Sequence, residues 1–340
     1  MAPREPDDGV RTMSQVARLY HVHGKRQREI ADRLGMSQAR VSRLLQQAEQ
    51  RGLVHTVLVP PEGLHPELEE GLELAYGLVE AHVVGLPSAD DPGLALAGAA
   101  ARYLAGASLD GATIGYTSWS STLRSMVRQM DRIPRSPVKR VVETLGDLGP
   151  PILQHEAARA TQRLAGLIDA EPVFLRAPGV FSRRDLRDAA LQDSHVREAL
   201  EQLNELDVVF LGVGPADFHG PLQEGANFFT ASQLAQVRKA GAVGQLNQRF
   251  LDAQGQPLTT DLDDLVIGIT LDQLRSARRR IVVTGGLSKH QALLAALRGR
   301  WVDVLLTDVT TARFLLQRAS GDVVAEAREV ISALPEEAPR

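Results

Sequence analysis

Nine short runs rich in Val, Ile and Leu, separated for the most part by stretches of helical periodicity, constrain this chain more than any other feature. They read AHVVGL, ATIGY, KRVVETLG, EPVFLRAP, LDVVFLGVG, AVGQLNQRFLD, LVIGIT, RRIVVTGG and VDVLLTD. Continuous apolar runs of this length suit strands buried on both faces, and helices between them predict βαβ units around a largely parallel sheet. AVGQLNQRFLDAQGQPL departs from the alternation and reads as a hairpin-like excursion turning at Gln254 and Gly255. The length of 340 residues, 44% of them hydrophobic, suits about two domains. With only 4% aromatic residues, the core must be mostly aliphatic.

The formal charge of -4 is unevenly spread. Arg11 to Arg51 holds nine basic and three acidic residues, so this block is +6 and the remainder -10. A compact basic block on an acidic chain is the footprint of a module that meets polyanions. Inside it, RQREIADRLG predicts a short helix with Ile30, Ala31 and Leu34 on its apolar face, and Gly35 supplies a left-handed turn position. MSQARVSRLLQQAEQRG predicts a second helix, over about 37–51, with Ser37 as N-cap and Val41, Leu44, Leu45 and Ala48 at i, i+3, i+4, i+7. Two helices joined by a Gly-containing turn make a helix-turn-helix. Arg28, Ser37, Gln38, Ala39, Arg40, Ser42 and Arg43 are then its candidate DNA contacts: Gln and Arg suit base edges, Ser phosphate or base, and Ala a thymine methyl. Upstream, MSQVARLYHVHG reads as a supporting helix packing through Val16, Leu19 and Tyr20. Downstream, GLVHTVLVPP alternates like a short strand, a wing.

PPEGLHPE, with three prolines and a glycine, breaks helix and strand alike and marks the boundary. The expected organisation is an all-α, winged DNA-binding domain over 1–60, a linker over 61–67 and an α/β domain over 68–340. In open α/β sheets ligands bind beyond the carboxyl ends of the strands. There the sequence places TSWSST after ATIGY, DLG after VVETLG, PADFHGPLQEG after VVFLGVG, LSKHQ after IVVTGG and VTT after VLLTD. The candidate effector residues on these rims are Gly115, Thr117, Ser118, Trp119, Ser120, Ser121, Gly212, Gly214, Asp217, Arg249, Lys289 and Asp308. Hydroxyls and unpaired N–H groups at a helix start favour an anion, and Lys289 opens a helix where a cation reaches it. Other readings stay open: Trp119 stacks on a sugar or fills core, Arg249 pairs with phosphate or an acidic neighbour, and Asp308 holds a sugar hydroxyl or caps the next helix. Asp217 and His219 form an acid/base pair or are ordinary exposed loop residues.

The chain has no cysteine, hence no disulfide framework and no thiolate metal site. The polar start MAPREPDDGV has no apolar h-region, and no run approaches about 18 uncharged apolar residues, which points to a cytoplasmic protein without a membrane partner. Neither GxGxxG opening a helix nor GxxxxGK[ST] is present, and the nine histidines lack ligand spacing, so no cofactor or metal is expected.

Together these parts resemble the SorC family of sugar-binding transcriptional regulators, including the deoxyribonucleoside regulator type. The likeness spans nearly the whole chain and rests on REIADRLGMSQARVSRLL, IGYTSWSSTL, VVFLGVGPAD, GAVGQLNQRFLDAQGQPL and VTGGLSKHQALLAALRGRWVDVLLTD. It implies a one-component regulator whose large domain is Rossmann-like and similar to glucosamine-6-phosphate deaminase, but senses its ligand without converting it. It further implies that the loop Gly115 to Ser121 and Lys289 contact a phosphorylated sugar, and that dimers or tetramers sit on palindromic operators. Some members hold an aldehyde through a lysine just before the glycine that follows the third strand; here that residue is Leu145, so a Schiff base is not expected. The expectation is an effector-controlled DNA-binding regulator with no catalytic residues. Its rivals are a sugar-phosphate isomerase or deaminase carrying a DNA-binding domain, kept alive by Asp217 and His219, and a constitutive architectural protein.

Overall fold

A computed structural model describes residues 8–54, 63–85, 92–133, 138–217 and 220–319. The chain divides into two units, 1–60 and 61–340. In the first, helices Asp8–Ala17, Gln27–Leu34 and Gln38–Gln50 enclose a core of Met13, Val16, Leu19, Ile30, Ala31, Val41, Leu45 and Ala48. Gly35 ends the second helix in the left-handed conformation (φ 64, ψ 37), and the Met36 N–H returns to the Ala31 carbonyl at 3.0 Å. That closure turns the chain within three residues and lets Val41, 0% exposed, enter the shared core. Tyr20, expected to pack there, lies on the π-helical turn Arg18–Val22 that follows the first helix, and the change of pitch leaves it exposed. The wing expected in GLVHTVLVPP falls mostly on residues 55–61, outside the described residues.

The second unit is built on a seven-stranded sheet. Its strands are β1 (Glu80–Val84), β2 (Thr113–Tyr116), β3 (Arg140–Glu143), β4 (Glu171–Val173), β5 (Val208–Leu211), β9 (Arg279–Val283) and β10 (Val304–Asp308); β6 (Gly214–Pro215), β7 (Gly244–Leu246) and β8 (Arg249–Leu251) form a separate antiparallel sheet. The order is β1-β10-β9-β5-β2-β3-β4, with every pairing parallel. The period of two is visible in its two faces. Ile114, Phe210, Ile281 and Leu306 pack under helices Pro92–Gly106, Ser121–Gln129 and Pro151–Leu167. Val142, Val209, Val282 and Leu305 pack under helices Pro66–Tyr76, His290–Arg298 and Val309–Leu316. Helices on both faces explain why these strands read as unbroken apolar runs.

Two expected strands turn out differently. LVIGIT is extended but joins no sheet: it crosses beyond the end of β3, bonded to Thr144, Gly146, Gly179 and Phe181 through single antiparallel bridges. The hairpin-like excursion is real, but its main turn lies at Asn247 and Gln248 (φ 46 and 64), between β7 and β8. Positive φ at both central residues is the hairpin geometry whose twist matches the strands. Gly255 (φ 76) closes a second turn, its N–H bonding the Asp252 carbonyl at 2.9 Å.

Candidate functional site

In the helix-turn-helix, the Ser37 hydroxyl caps the helix Gln38–Gln50 by accepting from the Arg40 N–H at 3.3 Å. Burial of Val41, Leu45 and Ala48 turns the opposite face outward, and Arg28, Gln38, Ala39, Arg40, Ser42 and Arg43 are all exposed. Ala39, Ser42, Arg43 and Gln46 make one exposed stripe at i, i+3, i+4, i+7. Gln46 continues the surface beyond the residues picked from the sequence. Its signal was already present as the next position of the same periodicity.

The candidate effector cleft follows from strand order. After β2 the chain steps to β3 on one side, and after β5 it works towards β9 on the other, so their carboxyl ends open a crevice. A cavity of about 130 Å³ sits there. Thr117, Trp119, Ser120 and Ser121 line it after β2, Leu145 and Leu148 after β3, and Gly212 to Pro215 after β5. The β7–β8 hairpin contributes Gln245, Asn247 and Gln248, and Lys289 closes the wall beyond β9. A second cleft, about 520 Å³, shares Ser121 and Lys289 and is lined further by Pro92 to Leu94, Ser125 and Gly285 to Ser288. The starts of helices Pro92–Gly106, Ser121–Gln129 and His290–Arg298 therefore converge on one wall.

The hydroxyl-rich stretch divides its labour. The Thr117 hydroxyl contacts the Thr144 hydroxyl at 2.9 Å and donates to Asn247 Oδ1 at 3.0 Å. Ser120 caps its helix by accepting from the Leu123 N–H at 3.3 Å, while Ser121 is exposed at the first helical position. Gly212 and Gly214 line the cavity with no side chain; a Cβ at Gly212 would press on Ser120, and one at Gly214 would meet the end of the Gln245 amide.

Five of the sequence candidates fall outside the cavity wall. Gly115 is inside β2, where a Cβ would press on Leu206, Thr144 and Val209. Ser118 is 1% exposed, its carbonyl accepting from Arg124 at 3.0 Å. Asp217 is exposed away from the lining, and His219 lies outside the described residues. Arg249 is buried and has taken the acidic neighbour, donating to the Asp263 carboxylate at 3.1 Å and its carbonyl at 2.9 Å. Asp308, 1% exposed, caps the helix Val309–Leu316 through the Thr311 N–H at 2.9 Å and accepts from the Gly286 N–H at 2.9 Å. Its second bond fixes the GGLS loop, so Asp308 serves the site by shaping it. The sequence missed the three carboxamides, whose place depends on how the hairpin folds back.

Beneath the cleft, Glu143 at the end of β3 accepts from Thr161 Oγ1 at 2.8 Å and the Leu175 N–H at 3.1 Å. Burial outweighs these bonds and pushes its carboxyl up to about 7. A carboxyl protonated more readily in the folded chain stabilises fully below its ordinary value of 4.5, and that contribution is lost as pH rises through about 7. Urea melts at pH 5 and pH 8 should show the loss, with Glu143→Gln flattening the slope; an equal slope in the variant assigns the effect elsewhere.

Comparison with known proteins agrees with this geometry. The family model described as "Putative sugar-binding domain" matches residues 63–317, and that of the MarR family matches residues 11–63. The deoxyribonucleoside regulator of Bacillus subtilis is 31% identical over 304 residues, covering 89% of this chain and 96% of that protein. The sorbitol operon regulator of Klebsiella pneumoniae is 27% identical over 323 residues, covering 92% and 100%. The crystal structure of the full-length sorbitol operon regulator SorC from Klebsiella pneumoniae superposes with a TM-score of 0.65 at 25% identity, covering 91% of this chain and 99% of that one. With its helix-turn-helix, its crevice at the switch of strand order and a sugar-binding match over most of its length, the chain belongs to the SorC family of sugar-binding transcriptional regulators.

Proposed function

We propose that the cleft holds a phosphorylated sugar and that the bound effector changes the affinity of the helix-turn-helix for a palindromic operator. The observation that carries this reading is the shared wall of the two clefts, where Lys289 and three helix starts meet. The partial positive charge of helix starts suits a phosphate. Catalysis gains no support: among the described residues lining the cavity there is no Asp, Glu or His, and Lys289 is its one ionisable side chain. A recognition helix reads one half-site, so a palindromic operator calls for a homodimer or higher even assembly, working in the cytoplasm where the DNA is.

The effector can move DNA affinity only by binding one arrangement of the protein better than another, typically 5- to 150-fold in such couplings. The test is titration of a duplex selected by the protein from a random pool, at fixed salt, with and without a panel of sugar phosphates. Unchanged affinity across the panel argues against effector control. Arg43→Ala separates two modes of contact: loss of about 1–3 kcal/mol on the selected duplex alone means a base is read, whereas equal loss on all sequences with a shallower salt dependence means a phosphate. Wild-type affinity would remove Arg43 from the interface.

A further inference from the structure

Two buried donors in the wall of the cavity have no acceptor among the described residues. Asn247 is 5% exposed and Trp119 is 8% exposed; both line the cavity, and neither Asn247 Nδ2 nor Trp119 Nε1 has a hydrogen-bond partner. The other end of the Asn247 amide is committed, since Oδ1 accepts from Thr117 at 3.0 Å and from Thr144 at 3.3 Å. The two threonine hydroxyls also share a bond at 2.9 Å, so at least one of their two protons points at that oxygen and turns the NH₂ group away from them. Leaving a buried donor unmade costs about 1–3 kcal/mol, and native structures leave few of them. Two along one cavity wall therefore point to what enters it.

We infer that Asn247 and Trp119 read an acceptor oxygen of the effector, a carbonyl or carboxylate, at the end remote from its phosphate. A sugar hydroxyl serves this position less well, because it brings a proton that needs an acceptor of its own. Asn247 Oδ1 is engaged by the pair of threonine hydroxyls, Gln245 Oε1 takes the Gln248 N–H at 2.8 Å, and Ser120 Oγ takes the Leu123 N–H. No carboxylate stands in the described lining to receive the proton. An oxo or carboxylate oxygen carries no proton and satisfies the donors without leaving a new orphan. Leu145, Leu148, Leu222 and Phe228 supply apolar wall beside it. The effector class is thus an oxidised sugar phosphate, a ketose or aldonate phosphate, in preference to an alditol phosphate. This rests on the sugar-phosphate reading above and adds the chemistry of the opposite end.

The experiment is calorimetric titration of the full chain with matched pairs that differ in the oxidised carbon: ribulose 5-phosphate against ribitol 5-phosphate, and 6-phosphogluconate against glucitol 6-phosphate, with inorganic phosphate as reference. The expected result is binding of the oxidised member about tenfold or more tighter than its alditol. Trp119→Phe, which removes the N–H and keeps an aromatic ring, should shrink that preference. Asn247→Asp, which keeps a residue tolerant of the left-handed turn and removes the donors, should do the same for the uncharged carbonyl of ribulose 5-phosphate. Melting curves of both variants establish that they fold, and the wild-type preference is informative without them. Alditol phosphates binding as tightly as their partners, or a preference unchanged in both variants, overturns this inference and leaves the sugar-phosphate reading standing. If no sugar phosphate binds more tightly than inorganic phosphate, both fall.

Discussion

Ser121→Glu is expected to lower affinity for a sugar phosphate by at least about 100-fold while leaving the melting temperature of the unliganded protein unchanged or slightly raised. The two halves have opposite signs for one reason. Ser121 is the exposed first residue of the helix Ser121–Gln129 and lines both clefts. A carboxylate in the first turn of a helix is favourable by about 0.3–1 kcal/mol, because it meets the partial positive charge of the free N–H groups. That is the charge a phosphate would use, and two like charges about 4 Å apart repel by about 4 kcal/mol at the effective dielectric of a protein surface. A penalty of about 2.7 kcal/mol already corresponds to 100-fold. Ser120 is the poorer position for this test, since its hydroxyl is the helix cap and its loss costs roughly 1 kcal/mol of stability. Calorimetric titration and a melting curve on the same sample check both halves; binding within threefold of wild type would take the phosphate away from this wall.

Gly255→Ala is expected to destabilise the large unit by about 4 kcal/mol or more and to weaken effector binding with it. Gly255 has φ 76, which costs an L-residue about 1–2 kcal/mol. A Cβ there would also collide with the Ala295 carbonyl oxygen and the Gly299 amide nitrogen, backbone atoms that cannot swing aside. Overpacking of this kind costs about 1–3 kcal/mol or more, and the bond from Trp301 Nε1 to the Gly255 carbonyl, 2.7 Å, is put at risk as well. Melting temperature should fall by about 10 °C, at roughly 2–4 °C per kcal/mol for a unit of this size. Function is coupled to this packing because Gly255 seats the β7–β8 hairpin on the helix His290–Arg298. One carries Asn247 into the cavity, and the other follows directly on Lys289. A differential scanning trace and an effector titration give both quantities; a fall under about 1 kcal/mol would mean the hairpin is not seated through this contact.

The architecture was legible because its signals are local. Strands such as RRIVVTGG and VDVLLTD are buried on both faces and so read as unbroken apolar runs, and the i, i+3, i+4, i+7 spacing of Val41, Leu44, Leu45 and Ala48 marks a helix whatever lies around it. LVIGIT has the composition of a strand, but its partners are segments beyond the end of β3, and pairing is not written in a single run. Glycine is the usual turn signal and points to a turn at Gln254 and Gly255, whereas Asn247 and Gln248 take the positive φ between β7 and β8. The same divide runs through the site. That Ser120, Ser121 and Lys289, at helix starts after strands, line the cavity follows from position alone. Arg249 and Asp308 were equally plausible by type, yet their polar atoms are spent on Asp263, Thr311 and Gly286. Asn247 carries no sequence signal at all, since its role depends on two threonines more than 100 residues away.

In the proposed mechanism a sugar phosphate held at the Ser121 and Lys289 wall governs DNA binding. The most direct test is the dissociation constant for the selected operator duplex at one salt concentration, measured for the wild type and for Ser121→Glu, each without and with a saturating amount of the best-binding sugar phosphate. A shift of at least about fivefold is expected in the wild type and none in the variant. Equal dissociation constants with and without effector in the wild type, or an undiminished shift in the variant, would contradict it.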